Sequence, residues 1–319
     1  MKLPALRPFL LLPGLAAAPA AQTPADVVDL PVGWDAGARF EIELVKEREQ
    51  YVNGRKTTSG GTRTMITFEV AEADDEGYVF HWTYGESVLL RKRLPGEPGE
   101  EEKSLEAELL ELQDGLRLEL RADLYGTPTG IENGDEIVAF YEAGLEKYRD
   151  QLLRLGADEA KLEAVTAAVQ PMLTRGTAEI VARKEPMLFL MPSGGTYVNG
   201  EPIEYEDRLP NPFGGEPFPS TARIAVQEIR LNRREAVLEW SQTLDPARTR
   251  SILLDTFRRL ALQSGKPQPT GADVPRFEVR DQATYTYDLE TGWPKTVEHE
   301  RSTTHDEKRR VDRHRFQVR

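Results

Sequence analysis

The stretch Arg39–Tyr84, RFEIELVKEREQYVNGRKTTSGGTRTMITFEVAEADDEGYVFHWTY, decides the fold. Phe40, Ile42 and Leu44 share one parity among charged neighbours, the period of a half-buried strand rather than of a helix. Asn53-Gly54 follows, and because both residues tolerate the positive φ of a tight primed turn, the chain is expected to reverse there. It returns with Ile66, Phe68 and Val70 alternating, and turns again at Asp74-Asp75-Glu76-Gly77. It then continues with Tyr78, Phe80, Trp82 and Tyr84 on one face. Three antiparallel strands in a meander are the economical reading.

Downstream, Leu94–Glu102 (LPGEPGEEE) reads as a polar loop, and Leu116, Leu118, Leu120, Ala122 and Leu124 resume the two-residue period of a core strand. The period changes after Asn133-Gly134-Asp135: Ile137, Tyr141, Leu145, Tyr148, Leu152 and Leu155 fall on one helical stripe, which Gly156 ends. A second helix from Asp158, burying Leu162, Val165, Val169 and Met172, and a shorter one over Thr177–Lys184 complete a helical insertion at about 135–186. The six prolines between Met187 and Pro219 suggest an extended surface connection. Strands are expected again at Arg223–Ile229 and Ala236–Gln242. Asp245-Pro246 starts a helix whose Leu253, Phe257, Leu260 and Ala261 face inward, and a meander closes the chain over Phe277–Val318.

Upstream, MKLPALRPFLLLPGLAAAPAA has Lys2 and Arg7 ahead of a short apolar core and a small-residue site at Ala18-Pro19-Ala20, the pattern of a signal peptide cleaved near Ala20 or Ala21. Pro8, Pro13 and Pro19 interrupt the apolar run, which falls short of the ~20 residues of a membrane span. The chain has no cysteine, so it has no lipid-anchor site, disulfide or thiolate chemistry, and a periplasmic or secreted location in a bacterium fits best. Residues 22–319 then form a single domain. Its charge of −13, or −15 once Lys2 and Arg7 leave with the signal, disfavours nucleic acid as a partner.

Catalytic patterns are missing: no Gly-x-Ser-x-Gly, Ser-x-x-Lys, phosphate loop, dinucleotide fingerprint, His-Glu-x-x-His helix or twelve-residue calcium loop occurs. Of the four histidines, His81 falls opposite Phe80 and Trp82. His299 and His305 lie about 20 Å apart along one strand, too far to share a metal. No catalytic residue, metal site or cofactor is therefore expected. Two features remain as candidates for binding. Phe40, Phe68, Phe80, Trp82 and Tyr84 either fill a sheet–helix core or line a cavity for a lipid-sized apolar ligand, since both demand the same parity. Arg309, Arg310, Arg313 and Arg315 make the last strand basic. It is read either as a site for an anionic partner or as an edge strand protected by charge, with the acids around Glu101 as an electrostatic counterpart.

The order of elements, with the Tyr287-Asp288-x-x-Thr291-Gly292-Trp293 turn late in the chain, resembles the half-barrel of bacterial periplasmic lipoprotein carriers of the LolA and LolB type and of exported proteins sharing that architecture. The resemblance is one of pattern over most of residues 22–319 and carries over no individual residue. It implies an α+β fold: a strongly curved antiparallel sheet whose concave face is covered by helices and could hold a lipid or other apolar ligand. Non-catalytic binding of such a ligand is the first functional expectation. An envelope protein-interaction or structural module is the second, and a hydrolase with an unrecognised carboxylate pair is the third.

Overall fold

The computed structural model describes residues 27–90, 113–154, 156–160, 162–163, 166, 174–211, 216–263, 267–271 and 274–319. The expected signal peptide, the acidic loop around Glu101, Leu155 of the expected first helix and Val165, Val169 and Met172 of the second lie outside them. In chain order the elements are β1 (Val27–Asp29), β2 (Arg39–Val52), β3 (Arg55–Ala73), β4 (Tyr78–Leu90), β5 (Arg117–Ala122), β6 (Pro128–Ile131), α1 (Gly134–Arg154), α2 (Arg175–Ala182) and α3 (Lys184–Leu190). After these come β7 (Thr196–Val198), β8 (Ile203–Leu209), β9 (Phe218–Arg230), β10 (Glu235–Leu244), α4 (Pro246–Gln263), β11 (Phe277–Asp288), β12 (Pro294–His305) and β13 (Lys308–Val318).

Eleven strands form one antiparallel sheet in the order β6-β5-β4-β3-β2-β13-β12-β11-β10-β9-β8, and β1 pairs separately with β7. Two sequential meanders meet where the first long strand pairs with the last, Leu44 opposite Phe316. The sheet is open at β6 and β8. The fold is thus α+β with a large antiparallel sheet, and no helix among the described residues is long and apolar enough to cross a membrane.

Local chemistry produces the turns. Asn53 and Gly54 have φ of 51° and 74° and join β2 to β3, as a primed turn requires. Asp245 caps α4 by accepting from the backbone N–H groups of Ala247 and Arg248, and Pro246 supplies the first helical φ. Along the strands the expected parity holds: Ile42, Leu44, Ile66, Phe68, Val70, Phe80, Trp82, Leu118 and Leu120 are buried on one face, which we call inner. Val297, Phe316, Tyr285, Tyr287 and Leu238 from the second meander join the same core. The cover comes from Ile137 of α1, Ala178 and Ala182 of α2, Phe189 and Leu190 of α3, and the N-terminal arm with Val28, Leu30 and Trp34.

A smaller cluster of Phe218, Leu244, Leu253 and Val274 packs α4 on the far end of the sheet, with Phe257 partly buried. Leu260 and, beyond the end of β5, Leu124, both expected to face inward, are exposed.

Two expectations are corrected. The stretch 187–219 is not an extended surface connection: it contains most of α3, then β7 and β8. Met187-Leu188-Phe189-Leu190 is apolar enough to drive a helix into the core, and Pro192, Pro202 and Pro210 bound elements instead of abolishing them. Nor is β13 an edge strand. It lies sixth of eleven, between β2 and β12, where the carboxylates of its neighbours offset its charge.

Candidate functional site

The aromatic stripe is the first part of the site. Phe68, Phe80 and Trp82 are fully buried, Tyr84 nearly so and Phe40 half-buried. Phe40 stacks on Phe68 at 5.0 Å between centroids, and Phe68 meets Phe80 at 5.1 Å. From α3, Phe189 packs on these rings, 5.7 Å from Trp82, 5.7 Å from Phe316 and 6.5 Å from Phe68, while Trp34 and Trp293 cover Phe80, Phe68 and Phe40. The buried Trp82 indole N–H has no hydrogen-bond acceptor among the described residues.

Moving along the same face, apolar residues give way to charge. Strand register aligns Lys46 of β2 with His314 of β13 and His299 of β12; the next inner row runs Arg48, Asp312, Arg301, Asp281, Gln242 across five strands. Signs alternate over that row's first four members, so Asp312 lies between Arg48 and Arg301, and Asp281 lies between Arg301 and the neutral Gln242. Asp312 accepts from Arg48 Nε (2.6 Å) and Arg310 Nε (2.7 Å). Asp281, fully buried, accepts a two-pronged bond from Arg301 (2.7 and 2.9 Å) and a third from His299 Nε2 (2.8 Å). The other ring nitrogen of His299, Nδ1, lies 3.4 Å from Nδ1 of His314.

Burial pushes the Asp281 pKa up, but His299 and Arg301 outweigh it and hold the carboxyl below its usual range. The His314 ring is driven down to about 3, first by burial and then by the charges of Lys184 and Lys46 and by His299, with Glu185 only partly opposing.

Glu185 joins the two halves. It projects from α3, one helical turn before Phe189, onto the boundary between aromatics and charges. Its Oε1 accepts from Lys46 Nζ at 3.0 Å and its Oε2 from the Tyr84 hydroxyl at 2.7 Å. Burial would raise its pKa, but Lys46, Tyr84 and His314 together lower it, so the group is a carboxylate at neutral pH. Lys46 also donates to Gln113 Oε1 at 3.0 Å. Lys184, on the exposed side of α3, has no carboxylate partner among the described residues.

The four arginines of β13 do not form one patch. Arg310 points to the inner face and binds Asp312, whereas Arg309, Arg313 and Arg315 point outward. Arg309 donates to Ser302 and lies over the Tyr51 ring, and Arg313 bridges Glu300 (2.8 Å) and Glu49 (3.0 Å). Only Arg315 lacks a partner among the described residues. It borders an outer-face hollow of about 400 Å³ that is also lined by Glu47, Glu298 and Glu300. His81 sits on that outer side, beside Arg117 and Glu69.

Reasoning from sequence missed Lys46, Glu185, Asp281, His299, Arg301 and His314 as a group. One signal was available: a two-residue turn at Asp306-Glu307 sets His299 opposite His314 by hairpin register, on the face of Val297. Glu185 gave no such signal, because its place depends on how α3 docks. Among the described residues no Ser or Thr hydroxyl bonds to either buried histidine, and no group of three or more His, Asp or Glu is arranged to hold a metal. The arrangement is suited to holding a charge beside an apolar surface. No protein-family model and no curated protein matches the chain.

Proposed function

We propose that this protein is a non-catalytic, exported binding or carrier protein that takes a lipid or similar apolar ligand on the inner face of its sheet, curved as in the LolA- and LolB-type half-barrels it resembles. It acts in the bacterial periplasm once the signal peptide is removed. The observation that carries this reading is the cover of the aromatic face: a seven-residue helix that inserts one ring, Phe189, among Phe68, Trp82 and Phe316.

Magnitudes favour exchange. Withdrawing Phe189 and Leu190 forfeits about 5 kcal/mol of apolar burial, at about 1.5–3 for each side chain. A hydrocarbon chain that covers the vacated face with a dozen methylenes gains roughly 10 kcal/mol, at about 0.8 per buried CH₂. A ligand of lipid length therefore has enough apolar surface to replace the helix. The interaction-module reading has less support, because three of the four arginines offered for it are satisfied within the chain.

Titration with the neutral fluorophore 1-N-phenylnaphthylamine tests the reading. Wild-type protein should bind it saturably at one site, and Phe189→Ala, which vacates the ring's place, should bind it at least tenfold more tightly. Binding that is non-saturable, or that Phe189→Ala and Trp82→Ala both leave unchanged, would place the ligand elsewhere or nowhere and refute the reading.

A further inference from the structure

The polar boundary says what kind of head group the apolar ligand carries, an inference that rests on the binding reading above. Helix α3 presents a carboxylate and, four residues later, an apolar ring on the same helical face, about 6 Å apart along its axis. The carboxylate is held as a free carboxylate would be, each oxygen having its own donor: Lys46 Nζ on Oε1 and the Tyr84 hydroxyl on Oε2. The ring rests in the aromatic nest directly beyond. Both donors belong to the sheet, on β2 and β4, and stay in place if α3 moves away. Lys46 is 24% exposed and so can be reached from solvent.

Charge in the band points the same way. Lys46, Arg48, Lys184, Arg301 and Arg310 stand against Glu185, Asp281 and Asp312. A departing α3 takes Lys184 away together with Glu185, so four cations, Lys46, Arg48, Arg301 and Arg310, then face two carboxylates, inside a protein whose overall charge is −13. A departing α3 would therefore leave a cationic notch beside a hydrophobic wall, with an ammonium and a hydroxyl spaced to receive two oxygens.

We propose that α3 occupies the place of the ligand and that the ligand is a long-chain carboxylate: its head group takes the Glu185 position on Lys46 and Tyr84, and its hydrocarbon chain takes the Phe189 position against Phe68, Trp82 and Phe316. Glu185 and Phe189 thus compete with the ligand for the same donors and the same apolar surface. Binding replaces one carboxylate by another on the same two donors, Lys46 and Tyr84.

The test compares oleate with oleyl alcohol, matched in chain and differing in head group, as displacers of 1-N-phenylnaphthylamine at pH 7.5. Glu185→Ala should bind oleate at least tenfold more tightly than wild type does and at least tenfold more tightly than it binds oleyl alcohol. Adding Lys46→Met should abolish that preference while the alcohol binds as before. If Glu185→Ala does not fold, Glu185→Gln, which keeps the side-chain shape and removes the charge, gives the same comparison. Equal binding of acid and alcohol would overturn the carboxylate assignment and leave apolar binding standing, whereas no binding of either would overturn both.

Discussion

Lowering the pH from 7.5 to 5.0 is expected to destabilise the fold by about 2 kcal/mol through His314 alone. The ring is 8% exposed and faces Lys46 from β2, His299 from β12, and Lys184 and Glu185 from α3. These surroundings keep it neutral, with a pKa of about 3 against 6.5 in the unfolded chain. Below pH 6.5 the unfolded chain takes up a proton that the folded protein refuses. The stabilisation is thus intact above pH 6.5 and shrinks as the pH falls toward 3. Each pH unit in that window is worth about 1.36 kcal/mol, so the roughly one and a half units down to pH 5.0 amount to about 2 kcal/mol.

The buried carboxylates act in a different window. Glu185 and Asp281 have folded pKa values below their ordinary 4.5 and 3.8, so what they contribute is lost only as the pH falls below those figures. Urea unfolding followed by tryptophan fluorescence at pH 7.5, 6.5 and 5.0, for wild type and His314→Gln, isolates the histidine. Wild type should lose about 2 kcal/mol more than the variant across this range. Parallel curves would show that His314 is not held neutral and would refute the reasoning.

Asp281→Asn should cost about 3 kcal/mol, because it leaves the Arg301 guanidinium in the band without its carboxylate. Arg301→Met in the same background should recover part of the loss, and no recovery in urea midpoints would contradict the pairing. Gly292→Ala should destabilise by at least about 1–2 kcal/mol for its left-handed backbone alone. It should also detach the N-terminal arm, since a Cβ there would lie 1.9 Å from the Pro31 carbonyl oxygen at a φ of +69°; unchanged fluorescence of the stacked Trp34–Trp293 pair would argue against this. On the outer face Arg313→Ala should cost about 1 kcal/mol and Arg315→Ala less than about 0.5, because only the first bridges two carboxylates. Equal costs in denaturant would mean that those bridges contribute nothing.

Much of the fold was legible in the sequence because its signals are local. The parity of Ile42, Phe68 and Trp82, the Asn53-Gly54 turn and the Asp245-Pro246 cap each depend on residues a few positions apart. What was not legible depends on pairings between distant segments. Arg309, Arg310 and Arg313 read as a basic edge because their partners, Ser302, Asp312, Glu300 and Glu49, are assigned only once β13 is placed between β2 and β12. The segment around Phe189 read as a loop because proline and glycine dominate its composition, although four apolar residues suffice to anchor a short helix. The candidate aromatics were recognised, but the polar half of the site was not. Lys46 and Glu185 are separated by 139 residues and look like any surface charges until α3 docks.

Hydrogen exchange of the α3 amides, Lys184–Leu190, with and without oleate, tests most directly whether this helix stands where the ligand binds. Oleate should speed exchange across α3 while the amides of β2, β4 and β13 stay protected. Bound oleate that leaves α3 exchange unchanged or slower would contradict the displacement of Glu185 and Phe189 and, with it, the binding site on the inner face.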